Sequence, residues 1–287
     1  DITNPFFATL VRGAEDAARE AAYTLLICNT GEDLESEKVS LRLLSQKRVD
    51  GMLLAPTGKS DHIIRGLLGQ GMRIVFVDRI LPDVAAPAVL SENESGAYQA
   101  TAHLLKQGHR RIGIVLGLPD VSTTRERLQG YRRALGDWGL QPDPGLIVYG
   151  QSKVRESWAA SRELLTRDSP PTAVFATNNL MTIGAMRALR ELGLRCPDDV
   201  SVVGFDDFEW AGAFDPPLTT VAQQPYEIGR QAARVLLALV GGSGAENREF
   251  RLDTHLQIRG SVACLGRSAR HGSQTSPRLG TPGEQGG

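Results

Sequence analysis

Two carboxylates, Asp206 and Asp207, close the apolar run Val200–Phe205. Adjacent acids at the end of a buried strand have three chemical uses. They can share a proton in catalysis, clamp a metal, or divide into one ligand contact and one structural acid. Successive side chains of an extended strand point to opposite faces, so the two acids cannot both aim at one bound atom. The third use is therefore expected. One acid should face the crevice at the carboxyl ends of the strands, where open α/β sheets bind ligands. The other is free for a turn or a helix cap.

Other polar groups stand at equivalent places. "FVDR" ends in Asp78 and Arg79, "FATNN" ends in Asn178 and Asn179, and "TTRERLQGY" puts Arg125 and Arg127 at a helix start. "TNPFF" sets Asn4, Phe6 and Phe7 at the first helix entrance, and Gln223 with Gln224 follows an apolar crossing. Each has a plain alternative as a cap or a solvated strand end. Together they make a set suited to a polyol: carboxylates and amides for paired hydroxyls, arginine forks as donors, and an aromatic ring for the apolar face of a sugar. No nucleophile with an adjacent base is evident, so the set reads as a binding site rather than an enzyme's.

Several chemistries fail on spacing. "TGKS" at Thr57–Ser60 has Leu53 where a phosphate loop needs its first glycine, so it reads as a polar loop opening a helix. The five histidines show no metal-ligand spacing, and His103 and His109 read as surface or capping residues. Neither a metal nor a cofactor is expected. Three cysteines, Cys28, Cys196 and Cys264, fit neither a zinc ribbon nor a redox pair and are expected as small buried or half-buried thiols. A formal net charge of −1 gives the body no general attraction for DNA or an acidic membrane. No apolar run approaches the ~20 residues that span a bilayer.

The elements that position these groups follow from periodicity. Short Val/Ile/Leu-rich runs, "YTLLICN", "GMLLAP", "RIVFVD", "RIGIVLG", "TAVFATN" and "VSVVGFDD", do not alternate polar with apolar, so both sheet faces should be covered. Helical patterns lie between them, with stops at Gly108, Gly139 and Gly193. This βαβα rhythm means parallel sheets flanked by helices. A turn-rich seam at "ILPDVAAPAVLSENES" and a later crossing near Leu218–Pro225 divide it in two. Two Rossmann-like lobes are expected: residues 1–91 with 224–253, and 92–223 with 254–264. Residues 265–287, nearly free of large apolar side chains, are expected to form a disordered tail.

Several motifs in combination carry a resemblance: "NPFF", "KRVDGMLL", "AHLLKQGHRRIG", "RERLQGYRRAL", "PPLTTVAQQ", and the long run "PTAVFATNNLMTIGAMRALRELGLRCPDDVSVVGFDDFEWA". Over about residues 1–262 the chain resembles the effector-binding region of LacI/GalR-family repressors. That implies a type I periplasmic-binding-protein architecture closing on a small carbohydrate, in a cytoplasmic homodimer. A periplasmic receptor of a transporter is the alternative. By position in the family pattern, the sugar contacts fall on Asn4, Phe6, Phe7, Asp78, Arg79, Arg127, Asn178, Asp206 and Gln223. Asn179 departs from the family's usual Asp, and Ala55 stands where some sugar binders are polar. The family places an apolar strand just before "DITNPFF" and a helix-turn-helix domain before that. The resemblance therefore implies a strand place left open beside the runs ending at Asn29 and Asp78, and operator binding only through a domain outside this chain.

Overall fold

The computed structural model describes residues 1–242 and 248–265. In the first half the chain forms α1 (Pro5–Glu20), α2 (Leu34–Gln46), β1 (Met52–Leu54), α3 (Asp61–Gly69), β2 (Ile74–Val77), β3 (Ala88–Ser91), α4 (Asn93–Lys106), β4 (Ile112–Leu116) and α5 (Ser122–Asp137). It continues through β5 (Ile147–Tyr149), α6 (Val154–Leu165), β6 (Ala173–Ala176), α7 (Asn179–Glu191), β7 (Ser201–Phe205), β8 (Thr219–Ala222), α8 (Pro225–Val240), β9 (Glu249–Leu252) and β10 (His255–Gln257).

Two sheets result. The first runs β1-β2-β3-β9, all parallel. The second runs β10-β8-β7-β6-β4-β5, parallel except for the β10–β8 pair. The chain passes between them after β3, after β8 and after β9. Continuous apolar strands are the signature of sheets covered on both faces, and each sheet here has two cores. On the first, Phe6, Leu10, Val75, Val89 and Ile228 pack one face, and Leu41, Ile64, Phe76 and Leu90 the other. On the second, α4 and α5 bury Leu104, Ile114, Tyr131 and Phe205, while α6 and α7 bury Leu164, Val174 and Val202. Each such side chain contributes roughly 1.5–3 kcal/mol when fully buried. Helices α1 and α8 approach so closely that a Cβ at Gly13 would run into the Tyr226 carbonyl, and one at Gly229 into that of Leu10.

One expected strand is absent. "YTLLICN" carries no ladder, and Leu26 and Ile27 are 61% and 57% exposed. The reason is the lack of a partner: β1 is the edge of its sheet, and cavities of about 170 and 300 Å³ separate residues 23–30 from residues 49–55. An apolar run becomes a strand only when a neighbour satisfies its backbone groups. The tail expected from residue 265 lies outside the described residues, apart from Leu265 itself.

Two further expectations are corrected. His103 and His109 are buried, not superficial. His109 sits within hydrogen-bond distance of the Thr172 hydroxyl (2.9 Å) and the Ala263 carbonyl (3.2 Å), so it ties a loop to the chain's last described segment. Cys28 and Cys264 are exposed, and only Cys196 is half-buried. Cys28 falls in the unpaired run, which explains its exposure.

Candidate functional site

Strand ends from both sheets converge on one cleft. From the first sheet, β2 delivers Asp78 and Arg79, and the first turn of α1 delivers Asn4, Phe6 and Phe7. From the second, β6 delivers Thr177 and Asn178, β7 delivers Asp206, β8 leads to Gln223, and α5 contributes Thr123, Thr124 and Arg127. All of these line one cavity. The local backbone explains the aim of the two acids. Asp78 (φ 63°) and Asp206 (φ 70°) both adopt the left-handed conformation directly after their strands. Asp tolerates that region better than most residues, and the abrupt turn directs each carboxylate into the cleft. The alternation expected of Asp206 and Asp207 therefore has a different cause: the strand has already ended at Phe205. Asp207 is turned away and accepts from both Arg259 guanidinium nitrogens (2.8 and 2.9 Å) and from the Thr220 hydroxyl (2.6 Å).

The charges alternate across the cleft. Arg127 donates to the Asn93 side chain (2.9 Å) and lies over the Phe205 ring, 3.8 Å from its centroid. Asp206 accepts from the Gln223 amide and, at 3.4 Å, from the Asn179 backbone. Arg79 is held in a bidentate pair by Glu32 (2.5 and 2.7 Å), lies 3.3 Å from Asp78, and stands over Phe7. Burial raises the Asp78 carboxyl to about 6, against the pull of Arg79 and Arg127, with Asp206 adding to the rise. Burial likewise raises Asp206, opposed by Arg127, the Gln223 hydrogen bond and Arg79. Burial lowers Arg127, which both acids oppose. Burial also opposes the charge on Arg79, yet Glu32 outweighs it and the guanidinium is held charged.

Three buried atoms of lining residues make no hydrogen bond: Asp78 Oδ1, Gln223 Oε1 and Arg79 Nε, the last 3.3 Å from the other Asp78 oxygen. The two oxygens are acceptors with no donor in reach, while Arg79 Nε has the Asp78 charge beside it, so the cleft's main unmet demand is for donors. Leaving such an atom unpaired costs about 1–3 kcal/mol. The lobes meet around it: the Asn179 amide donates to Asn4 Oδ1 (2.8 Å), the Ile80 N–H donates to the Ser122 hydroxyl (3.0 Å), and Lys59 pairs with Asp120 (2.8 Å). The room left is small, about 30 Å³ as measured to water centres. Among the described residues no cluster of three His, Cys, Asp or Glu is placed to hold a metal.

All nine residues singled out from the sequence line this cavity. Asn4 and Asn178 also cap α1 and α7, accepting from the Phe6 and Met181 backbones, so capping and lining coincide. Arg125 does not join them; it donates to the Asp120 carbonyl at the surface. Sequence reasoning missed Glu32, Asn93, Thr123, Thr124 and Ser152. Glu32 reaches Arg79 from a left-handed turn after Gly31, a feature with no periodic signal. The small hydroxyl residues have no pattern of their own.

Residues 101–262 match the family model described as a periplasmic binding protein-like domain. The HTH-type transcriptional repressor PurR of Aliivibrio salmonicida is 34% identical over 260 residues, covering 90% of this chain and 78% of that protein. The chain belongs to the LacI family of transcriptional regulators. Solved structures agree. A LacI family regulator from Enterococcus faecium with bound ribose is 31% identical with a TM-score of 0.81, over 92% of this chain and 97% of that one. The transcriptional regulator CelR in complex with cellobiose is 36% identical with a TM-score of 0.84, over 90% and 79%. This is the effector-binding fold of the family, and its relatives are regulators rather than enzymes. No helix among the described residues is long and apolar enough to cross a membrane.

Proposed function

We propose that this chain is the effector-binding core of a sugar-responsive regulator, and that the cleft closes on a small, neutral carbohydrate. The observation that carries this reading is the pair of unmet acceptors, Asp78 Oδ1 and Gln223 Oε1, beside the guanidinium of Arg127. Sugar hydroxyls donate and accept at once, so they suit a wall offering both. The charges also balance: Asp78 and Asp206 against Arg79 and Arg127. With Glu32 already on Arg79, the site has no spare positive charge for a phosphate or carboxylate. The nine lining residues Asn4, Phe6, Phe7, Asp78, Arg79, Arg127, Asn178, Asp206 and Gln223 are the proposed contacts. The ribose and cellobiose held by the two solved relatives support the class.

The proposed lobes divide at the three crossings, 1–91 with 224–253 and 92–223 with 254–264. A sugar touching both would favour the closed form, because only that form makes all the contacts. DNA binding falls to a helix-turn-helix module of the kind the relatives' names record, in a cytoplasmic homodimer whose DNA heads move with closure. The test is a thermal-shift screen of neutral sugars and their phosphates. A neutral sugar at a hundred times its Kd is expected to add about 2.7 kcal/mol, and Arg127→Ala is expected to abolish the shift. Stabilisation by sugar phosphates alone, or an undiminished shift in Arg127→Ala, would refute the reading.

A further inference from the structure

Beside the cleft lies a second cavity of about 220 Å³, against about 30 Å³ for the first by the same measure. Phe6, Asp206 and Gln223 line both, so these three side chains form the partition. The far wall is different in kind. It carries Trp210 and Phe208 with Glu209 and Thr9. Phe208 is buried, and Trp210 leans edge-on against it at 5.4 Å while staying 46% exposed. The larger space therefore has an aromatic wall with hydroxyl and carboxylate groups around it, and no cation in its lining.

The partition is itself a hydrogen bond, from the Gln223 amide to Asp206. The other Gln223 atom, Oε1, is buried and unpartnered. A ligand hydroxyl that takes either position replaces the bond and joins the two spaces. The polar groups that could hold a single ring all line the small cavity, which at about 30 Å³ would have to widen to admit one. A ring seated there would carry its glycosidic substituent past Asp206 and Gln223 towards Trp210.

We infer that the larger cavity is a second subsite, and that the effector is a two-ring glycoside whose outer ring lies against Trp210. This rests on the carbohydrate reading of the inner site. The chemistry fits a neutral outer ring, sugar or base, with an apolar face for the indole and hydroxyls for Glu209 and Thr9. An aromatic face offers apolar area with a preferred geometry and no hydroxyl-specific contact, so Trp210 should set size preference rather than inner-ring identity.

The experiment is calorimetric titration of the chain with matched pairs: D-glucose and cellobiose, D-galactose and lactose, D-ribose and uridine. For the pair whose single ring binds, the two-ring partner is expected to bind at least tenfold tighter. Trp210→Ala should remove that gain and leave single-ring affinity unchanged, while Trp210→Phe keeps most of it. Trp210 is half-exposed, so both variants should fold. The inference is overturned if the two-ring partner binds no tighter than its single ring. It is also overturned if Trp210→Ala leaves the ratio unchanged, including the case where it alters only the oligomeric state seen by sedimentation. Binding of no probe of either size overturns the carbohydrate reading and this inference with it.

Discussion

Asp78 offers the sharpest test, because its role as a ligand contact and its cost to the fold have opposite signs. In the folded chain its carboxyl is raised from 3.8 to about 6 by burial. A raised carboxyl binds its proton more tightly folded than unfolded, so stability falls as pH rises from about 4 to about 6 and is flat beyond. At about 1.4 kcal/mol per tenfold, the difference between 3.8 and 6 amounts to about 3 kcal/mol of destabilisation at neutral pH. Asp78→Asn keeps the shape and removes the charge. Measured by urea denaturation without sugar, the variant's advantage over the parent should grow by about 2.4 kcal/mol between pH 4 and pH 7. Titrations of groups remote from Asp78 cancel in the difference, while Asp206, whose charge adds to the rise of Asp78, shares in it. Calorimetry should show the reverse for binding. A sugar hydroxyl donating to Oδ1 loses a charged acceptor, a change worth about 1.5–3 kcal/mol, or roughly ten- to a hundredfold in Kd. An advantage that stays constant from pH 4 to pH 7 would refute the electrostatic account, and unchanged affinity would remove Asp78 from the ligand's contacts.

Two further substitutions separate structural from functional roles. Asp207→Ala breaks the pairing with Arg259 and Thr220, so denaturation should show a loss of about 1–2 kcal/mol while single-ring sugar affinity holds. Because Arg259 and Thr220 hold the Asp207 carboxyl below its ordinary range against the opposing effect of burial, that loss should shrink as pH falls through its titration. Asn179→Asp replaces the amide donor to Asn4 with an acceptor and sets a second charge beside Asp206. It should weaken sugar binding about tenfold at pH 7 by opposing closure, and acidification should restore part of that affinity.

The polar set was legible because strand ends are legible. Apolar runs free of alternation mark covered parallel strands, and the residue after each run then falls at the crevice. Asp78, Asp206 and Gln223 follow from that rule alone, and Asn178 stands one residue further on. Glu32 does not, since its position depends on the left-handed turn at Gly31–Glu32. Thr123 and Thr124 enter only because α5 begins at the cleft. A strand at "YTLLICN" follows from residue type, which speaks to burial and not to pairing. Without a ladder partner the same residues stay irregular and exposed. The buried histidine is hidden for the converse reason: His109 has no apolar pattern around it, and its partners are Thr172 and the Ala263 segment, the latter more than 150 residues away in sequence.

The two buried acids also bear on how a ligand would favour the proposed closure. Each feels the arginine of its own lobe and that of the other: Asp78 is opposed in its rise by Arg79 and Arg127, and Asp206 by Arg127 and Arg79. Closing thus brings two attractive cross-lobe pairs together, but it also takes four charges out of water and brings the acids towards each other. Burial wins that contest for both carboxyls, since both remain raised. Buried pairs of this kind often fail to recover their desolvation cost unless further hydrogen bonds complete them. The Asn4–Asn179 and Ile80–Ser122 bonds supply part of that, and each is worth only about 0.5–1.5 kcal/mol net. The unmet acceptors at Asp78 and Gln223 mark what is still lacking. Hydroxyl donors placed there satisfy groups that open lobes would leave to water, and that differential is what can shift the population towards closure.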